Sequence, residues 1–119
     1  MNKVLVVDSN KVLREMWPRL FKGKYEIITA SSVVEARQKF KDHSDIKAIV
    51  LGDLDLSVNN LSLSDSKVLS DLVVEFRETF EFRIITASTD PKLRRDLVSC
   101  GCDGECEKYA LKDLLKVIF

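Results

Sequence analysis

The stretch Ile46 to Leu56, Ile-Lys-Ala-Ile-Val-Leu-Gly-Asp-Leu-Asp-Leu, constrains the fold of this chain more than any other. Its apolar residues Ala48, Ile49, Val50 and Leu51 follow one another without interruption, the mark of a strand covered on both faces in a parallel sheet flanked by helices. Asp53 then emerges at the carboxyl end of that strand. In open α/β sheets, ligands and chemistry collect in the loops beyond those ends, which makes the acid a site candidate. Asp is also a common turn residue, so on this stretch alone Asp53 and Asp55 fit a turn that simply ends the strand.

The pattern of an apolar run delivered into a polar group recurs. Lys3 to Asp8 is one such run, Tyr25 to Ala30 a further strand, and Phe82 to Ala87 another, carrying the hydroxyl of Thr86 at its end. Helical spacing fills the intervals. Val12, Leu13, Met16, Leu20 and Phe21 mark a first helix with Gly23 as its stop, kinked by Pro18, with Trp17 as a packing residue. Ser32-Val-Val-Glu35 is a capping box for a helix reaching about Lys41. Val68, Leu69, Leu72, Val73 and Phe76 form a third stripe after a long Ser- and Asn-rich loop, Leu56 to Ser66. Asp90-Pro91 opens a fourth helix that buries Leu93 and Leu97 and ends before Gly101. Glu105 to Tyr109 is a short, poor strand candidate, followed by a last helix through Leu111, Leu114, Leu115 and Ile118. This strict alternation predicts an α/β fold: a five-stranded parallel sheet, doubly wound, with helices on both faces and right-handed crossovers. In the flavodoxin-like strand order 2-1-3-4-5, Asp8, Asp53, Thr86 and Lys108 converge at one edge.

Composition removes several classes of function. The chain has 119 residues, enough to bury a core without disulfides or metal. Lys plus Arg and Asp plus Glu each number 19, and this balance argues against nucleic acid as the main partner. No apolar run approaches a membrane span and no signal-peptide pattern precedes Lys3, so a cytoplasmic location and no membrane partner are expected. Cys100, Cys102 and Cys106 are expected to be reduced packing residues, since three thiols lack a fourth metal ligand and His43 is far away in sequence. A thiol or metal sensor built on them is a minor alternative.

The ordered set Val-Leu-Val-Val-Asp8, Ile-Val-Leu-Gly-Asp53-Leu-Asp-Leu, Ile-Ile-Thr86-Ala-Ser and Cys-Gly101-Cys-Asp-Gly-Glu-Cys-Glu-Lys108 resembles the CheY-like receiver domain of two-component response regulators over essentially the whole chain. Lys108 follows Thr86 by 22 positions, which looks like the family's usual separation, whereas Thr86 follows Asp53 by 33, somewhat long, the excess falling in the Ser/Asn loop. The resemblance implies a single receiver domain over residues 1–119, standing alone or within a larger protein, that signals and is not an enzyme. It implies phosphorelay: Asp53 accepts a phosphoryl group from a sensor histidine kinase or phosphotransfer protein, and Thr86 and Lys108 contact that group. It also implies Mg²⁺ held by Asp8, Asp53 and the backbone carbonyl of Asp55, with a downstream protein target and a homodimer as further partners.

Departures from the family pattern carry their own expectations. Ser9 stands where the family usually has a second acid, leaving a local formal charge of −1 over Asp8, Asp53 and Lys108, so Mg²⁺ binding should be weak. Ser57 replaces a proline and should loosen the loop after Asp53. Tyr109 replaces another, which predicts a trans bond or a displaced lysine. Glu105 occupies the place of a switch aromatic. The alternative these changes favour is a degenerate receiver, a protein-interaction module independent of phosphorylation.

Overall fold

The computed structural model describes residues 1–54 and 65–119, with side chains from residue 67 onward in the second stretch. The strands are β1 (Asn2–Val7), β2 (Tyr25–Ala30), β3 (Ile46–Leu51), β4 (Arg83–Thr86) and β5 (Gly104–Glu105). Between them run α1 (Lys11–Leu20), α2 (Val33–Asp42), α3 (Asp65–Arg77) and α4 (Pro91–Ser99), and α5 (Leu111–Ile118) follows a 3-10 turn at Lys108–Ala110. The strands form one parallel sheet in the order β2-β1-β3-β4-β5, as expected.

Strand periodicity divides the core into two layers. Leu5 and Val7 of β1 and Ile49 and Leu51 of β3 face α2, α3 and α4, packing with residues such as Leu72, Phe76 and Leu97. Their neighbours Val4, Val6, Ala48 and Val50 face the other way, onto Trp17 and Phe21 at the end of α1 and Leu111 and Leu115 of α5. Trp17 is 1% exposed, so it is a packing residue.

Local signals set the helix ends. Asn10 caps α1, its side chain accepting from the Leu13 amide at 3.2 Å, and Asp90 caps α4 by accepting from Lys92 at 2.9 Å. Pro18 lies inside α1, which continues to Leu20, so the helix runs through the proline without the amide that would bond the Arg14 carbonyl. At α2 the box is half-formed. Ser32 accepts from the Glu35 amide at 3.2 Å, but the Glu35 carboxylate takes the Ser31 hydroxyl at 2.9 Å instead of returning to Ser32.

The fifth strand differs from the expected Glu105–Tyr109. It pairs with β4 only through Ile85 with Gly104 and Thr86 with Glu105. The Cys106 amide bonds the Thr86 carbonyl at 3.0 Å, and the chain then turns into the 3-10 segment, which moves Lys108 from a strand to a turn. No peptide bond among the described residues is cis, so the bond before Tyr109 is trans. The Ser/Asn loop, Ser57 and the Asp55 carbonyl fall largely or wholly outside the described residues.

Candidate active site at the carboxyl edge of the sheet

Three charged side chains expected from the sequence meet. Asp8, one residue past β1, is fully buried, and Asp53 lies two residues past β3 with its side chain 33% exposed. Lys108 Nζ lies 2.8 Å from Asp8 Oδ2 and 2.9 Å from Asp53 Oδ2, so one ammonium bridges both acids. Backbone amides complete the shell of Asp8: Asn10 donates to Oδ1 at 2.8 Å and Asp53 to Oδ2 at 3.2 Å. Gly52 makes this close approach possible, because a Cβ there would overlap the Asp8 carboxylate. The Gly52 amide also bonds the Val7 carbonyl at 2.7 Å, carrying the β1–β3 ladder up to the site.

Ser9 sits beside these acids as expected, but its role is in the backbone. Its amide and hydroxyl donate to the Asp53 carbonyl at 2.9 and 3.1 Å, fixing the turn that presents the acid.

Two residues that sequence reasoning missed supply the hydroxyls on Asp53. Ser88 Oγ donates to Asp53 Oδ1 at 2.5 Å, and Thr89 donates its hydroxyl to Oδ2 at 2.9 Å and its amide to Oδ2 at 3.1 Å. The available signal was the run of hydroxyl residues after β4, Thr86-Ala-Ser88-Thr89. Thr86 itself does not bond Asp53 in this state. It is fully buried in β4, and its Oγ1 makes no hydrogen bond among the described residues.

These contacts set the charges. Burial alone pushes the Asp53 carboxyl up, but the bonds from Ser88, Lys108 and Thr89 outweigh it and bring the pKa down to about 2. Burial pushes Lys108 down, yet its bonds with Asp8 and Asp53 prevail and its pKa is raised. Both groups are ionised near neutrality. The result is an anionic nucleophile ringed by donors, an arrangement able to take up an electrophile of high negative charge.

As donors, the residues fit a hard cation: two carboxylates share one position, now neutralised by the lysine. No group of three His, Cys, Asp or Glu side chains converges on a metal site among the described residues, and the Asp55 carbonyl lies outside them. The cysteines are elsewhere in character. Cys102 is buried and its thiol is pushed up to about 12, while burial also raises Cys106, so neither is a ready thiolate; Cys100, expected as a packing residue, is instead exposed. Among the described residues no helix is long and apolar enough to cross a membrane.

No family model matches the chain, and no curated protein sequence is similar to it. Solved structures are similar over its full length. The response regulator TrrA of Thermotoga maritima, in complex with Mg²⁺ and BeF, is 25% identical, with a TM-score of 0.76 over 100% of both chains. The chemotaxis protein CheY4 of Vibrio cholerae is 22% identical, with a TM-score of 0.71 over 100% of this chain and 99% of that one. A chain from the complex of CheY6 with the phosphorylated P1 domain of CheA3 from R. sphaeroides is 14% identical, with a TM-score of 0.66 over 98% and 91%. Strand order and these likenesses together show a chain with the CheY-like receiver fold of the response regulators, from its first strand to its last helix.

Proposed function

We propose that the protein is a phosphoacceptor receiver of two-component signalling, with Asp53 as the acceptor. The observation that carries this reading is the Lys108 ammonium 2.9 Å from the Asp53 carboxylate, at the sheet edge that also gathers Asp8, Ser88 and Thr89. An Asp53 oxygen attacks the phosphorus of a phosphohistidine. The phosphorus–nitrogen bond breaks, its electron pair returns to the imidazole, and an acyl phosphate forms. Such transfer needs positioning and charge neutralisation more than covalent help. The Thr89 amide and hydroxyl and the Lys108 ammonium already point at the acceptor oxygen and pass to the phosphoryl oxygens as the new bond forms. Thr86, whose buried hydroxyl lacks a partner, gains one by turning toward the same group, and this change switches the surface seen by a downstream protein or a second copy.

Mg²⁺ is the expected companion ion, held by Asp8 and Asp53, and when bound it neutralises charge on the transferring group. Ser9 in place of an acid weakens its binding. The phosphate source is a histidine kinase or phosphotransfer domain, a reading supported by the structurally similar CheY6, which is found in complex with the phosphorylated P1 domain of CheA3. Residues 1–119 act as one signalling module in the cytoplasm, not as an enzyme.

A degenerate interaction module is the second reading, favoured by the Ser9 hydroxyl on the Asp53 carbonyl, at the position where the family usually has a second acid. Intact mass after incubation with acetyl phosphate and Mg²⁺ separates the two. The phosphoacceptor reading predicts a gain of about 80 Da, one phosphoryl group, in the wild type and none in Asp53→Asn. No gain in the folded wild type moves the assignment to the interaction module.

A further inference from the structure

Among the described residues, two buried side-chain polar atoms make no hydrogen bond, Thr86 Oγ1 and Arg94 Nε. An orphaned buried donor is costly and calls for an explanation. Arg94 stands on α4, next to Leu93 of the core, and its side chain is only 11% exposed. Its NH1 donates to the Ser88 carbonyl at 2.6 Å. Its Nε faces Glu105 Oε1 at 3.6 Å, near enough for an ion pair and too far for a hydrogen bond.

Ser88 is the residue whose hydroxyl reaches Asp53 Oδ1 at 2.5 Å, and the same hydroxyl accepts the Asp90 amide at 3.0 Å. Glu105 lies on β5, paired with Thr86. A continuous chain of polar contacts thus runs from Asp53 through Ser88 and Arg94 to Glu105. A guanidinium is a rigid planar fork, so its two ends cannot move independently. Any displacement of the Ser88 backbone swings Nε relative to Glu105, drawing it into hydrogen-bond range or breaking the pair. Burying the guanidinium is costly unless it is paired, so its bond to Ser88 ties α4 to the loop and its pair with Glu105 ties α4 to β5.

We propose that Arg94 is a positioning residue for the acceptor: it fixes the Ser88 carbonyl, and through it the hydroxyl on Asp53, and its pairing with Glu105 couples that loop to β5. The inference deepens the phosphoacceptor reading of Asp53 and names the route by which the site acts on the far side of the sheet edge.

The test compares wild type, Arg94→Ala and Glu105→Gln in the full chain, with two readouts. The first, by NMR without any phosphodonor, is the amide signal of Thr89, which bonds the Asp53 carboxylate and lies one residue beyond the Ser88 carbonyl. The second is acyl-phosphate formation from acetyl phosphate, followed by intact mass over a range of donor concentrations. Arg94→Ala shifts the Thr89 signal and lowers the saturating rate about fivefold, the effect of one lost hydrogen bond, with half-saturation unchanged because Arg94 reaches Asp53 only through Ser88. Glu105→Gln moves both in the same direction by less. A Thr89 signal that stays in place in folded Arg94→Ala overturns the proposal. Should that variant not fold, Glu105→Gln decides, since its side chain is 42% exposed and an unmoved Thr89 signal there has the same meaning. A wild type that takes up no phosphoryl group overturns the phosphoacceptor reading instead, and the Thr89 signal still decides the role of Arg94.

Discussion

Lys108 Nζ lies 2.9 Å from the Asp53 carboxylate while also touching Asp8, so Asp53 and the buried acid share one counter-ion. Asp8 is fully buried and the Lys108 side chain is 9% exposed, which makes this ion pair far less screened than the surface pairs of the molecule. Removing the lysine strands a buried carboxylate. Lys108→Ala should therefore cost about 3 kcal/mol, as broken buried pairs do, and should abolish uptake from acetyl phosphate. Urea unfolding measures the first effect; a loss below about 1 kcal/mol, the range of exposed pairs, would show that Asp8 is not relying on Lys108.

The pH dependence follows from the direction of each shift. The Asp53 pKa is depressed from 3.8 to about 2 on folding, so its contribution to stability is complete above 3.8 and disappears as pH falls through 2. The Lys108 pKa is raised from 10.5, so its contribution is complete below 10.5 and disappears as pH rises through its higher folded value. Unfolding curves of wild type and Asp53→Asn should accordingly run parallel near neutrality and converge between pH 4 and 2. Parallel curves across that acid window would contradict the assigned contacts.

Gly52 gives a steric test. Gly52→Ala forces a methyl group into the Asp8 carboxylate and should destabilise by about 1–3 kcal/mol, the usual cost of overpacking. Gly104→Ala is the control, because a Cβ there meets nothing within 4 Å. Equal unfolding midpoints for the two variants would remove the steric argument.

Metal affinity tests the role of Ser9. A missing unit charge at about 4 Å is worth up to about 4 kcal/mol per unit of partner charge at an effective dielectric of 20, before desolvation. Calorimetric titration should show weak Mg²⁺ binding in the wild type and binding at least about tenfold tighter in Ser9→Asp, a gain of about 1.4 kcal/mol. Equal affinities would mean that the two existing carboxylates set the affinity.

Asp8 and Asp53 were legible in the sequence because strand periodicity fixes where an apolar run ends, and a parallel sheet brings such ends together; Lys108 was placed by the resemblance, and it stands in a 3-10 turn past the short fifth strand. Ser88 and Thr89 were not. They lie beyond β4, where no periodicity operates, and their direction is set by contacts remote in sequence or local to the turn, the Arg94 guanidinium on the Ser88 carbonyl and the Asp90 amide on the Ser88 hydroxyl. Thr86 was placed correctly at the strand end, but its side chain points to no partner there, which no spacing rule predicts. The fifth strand was misplaced because two residue pairs make it, too few to leave an alternating pattern. Trp17 is core as read, but most of the apolar stripe named beside it is not: Val12, Met16 and Leu20 are 72%, 39% and 45% exposed, and the end of α1 turns Trp17 and Phe21 inward instead.

Asp53, and not Asp8, is the residue proposed to take the phosphoryl group. Borohydride reduction of the protein after incubation with acetyl phosphate and Mg²⁺ converts an acyl phosphate into an alcohol, and peptide mass mapping then locates it. Homoserine should appear at position 53, with Asp8 unmodified. Homoserine at position 8, or at neither position in a folded protein, would contradict that assignment.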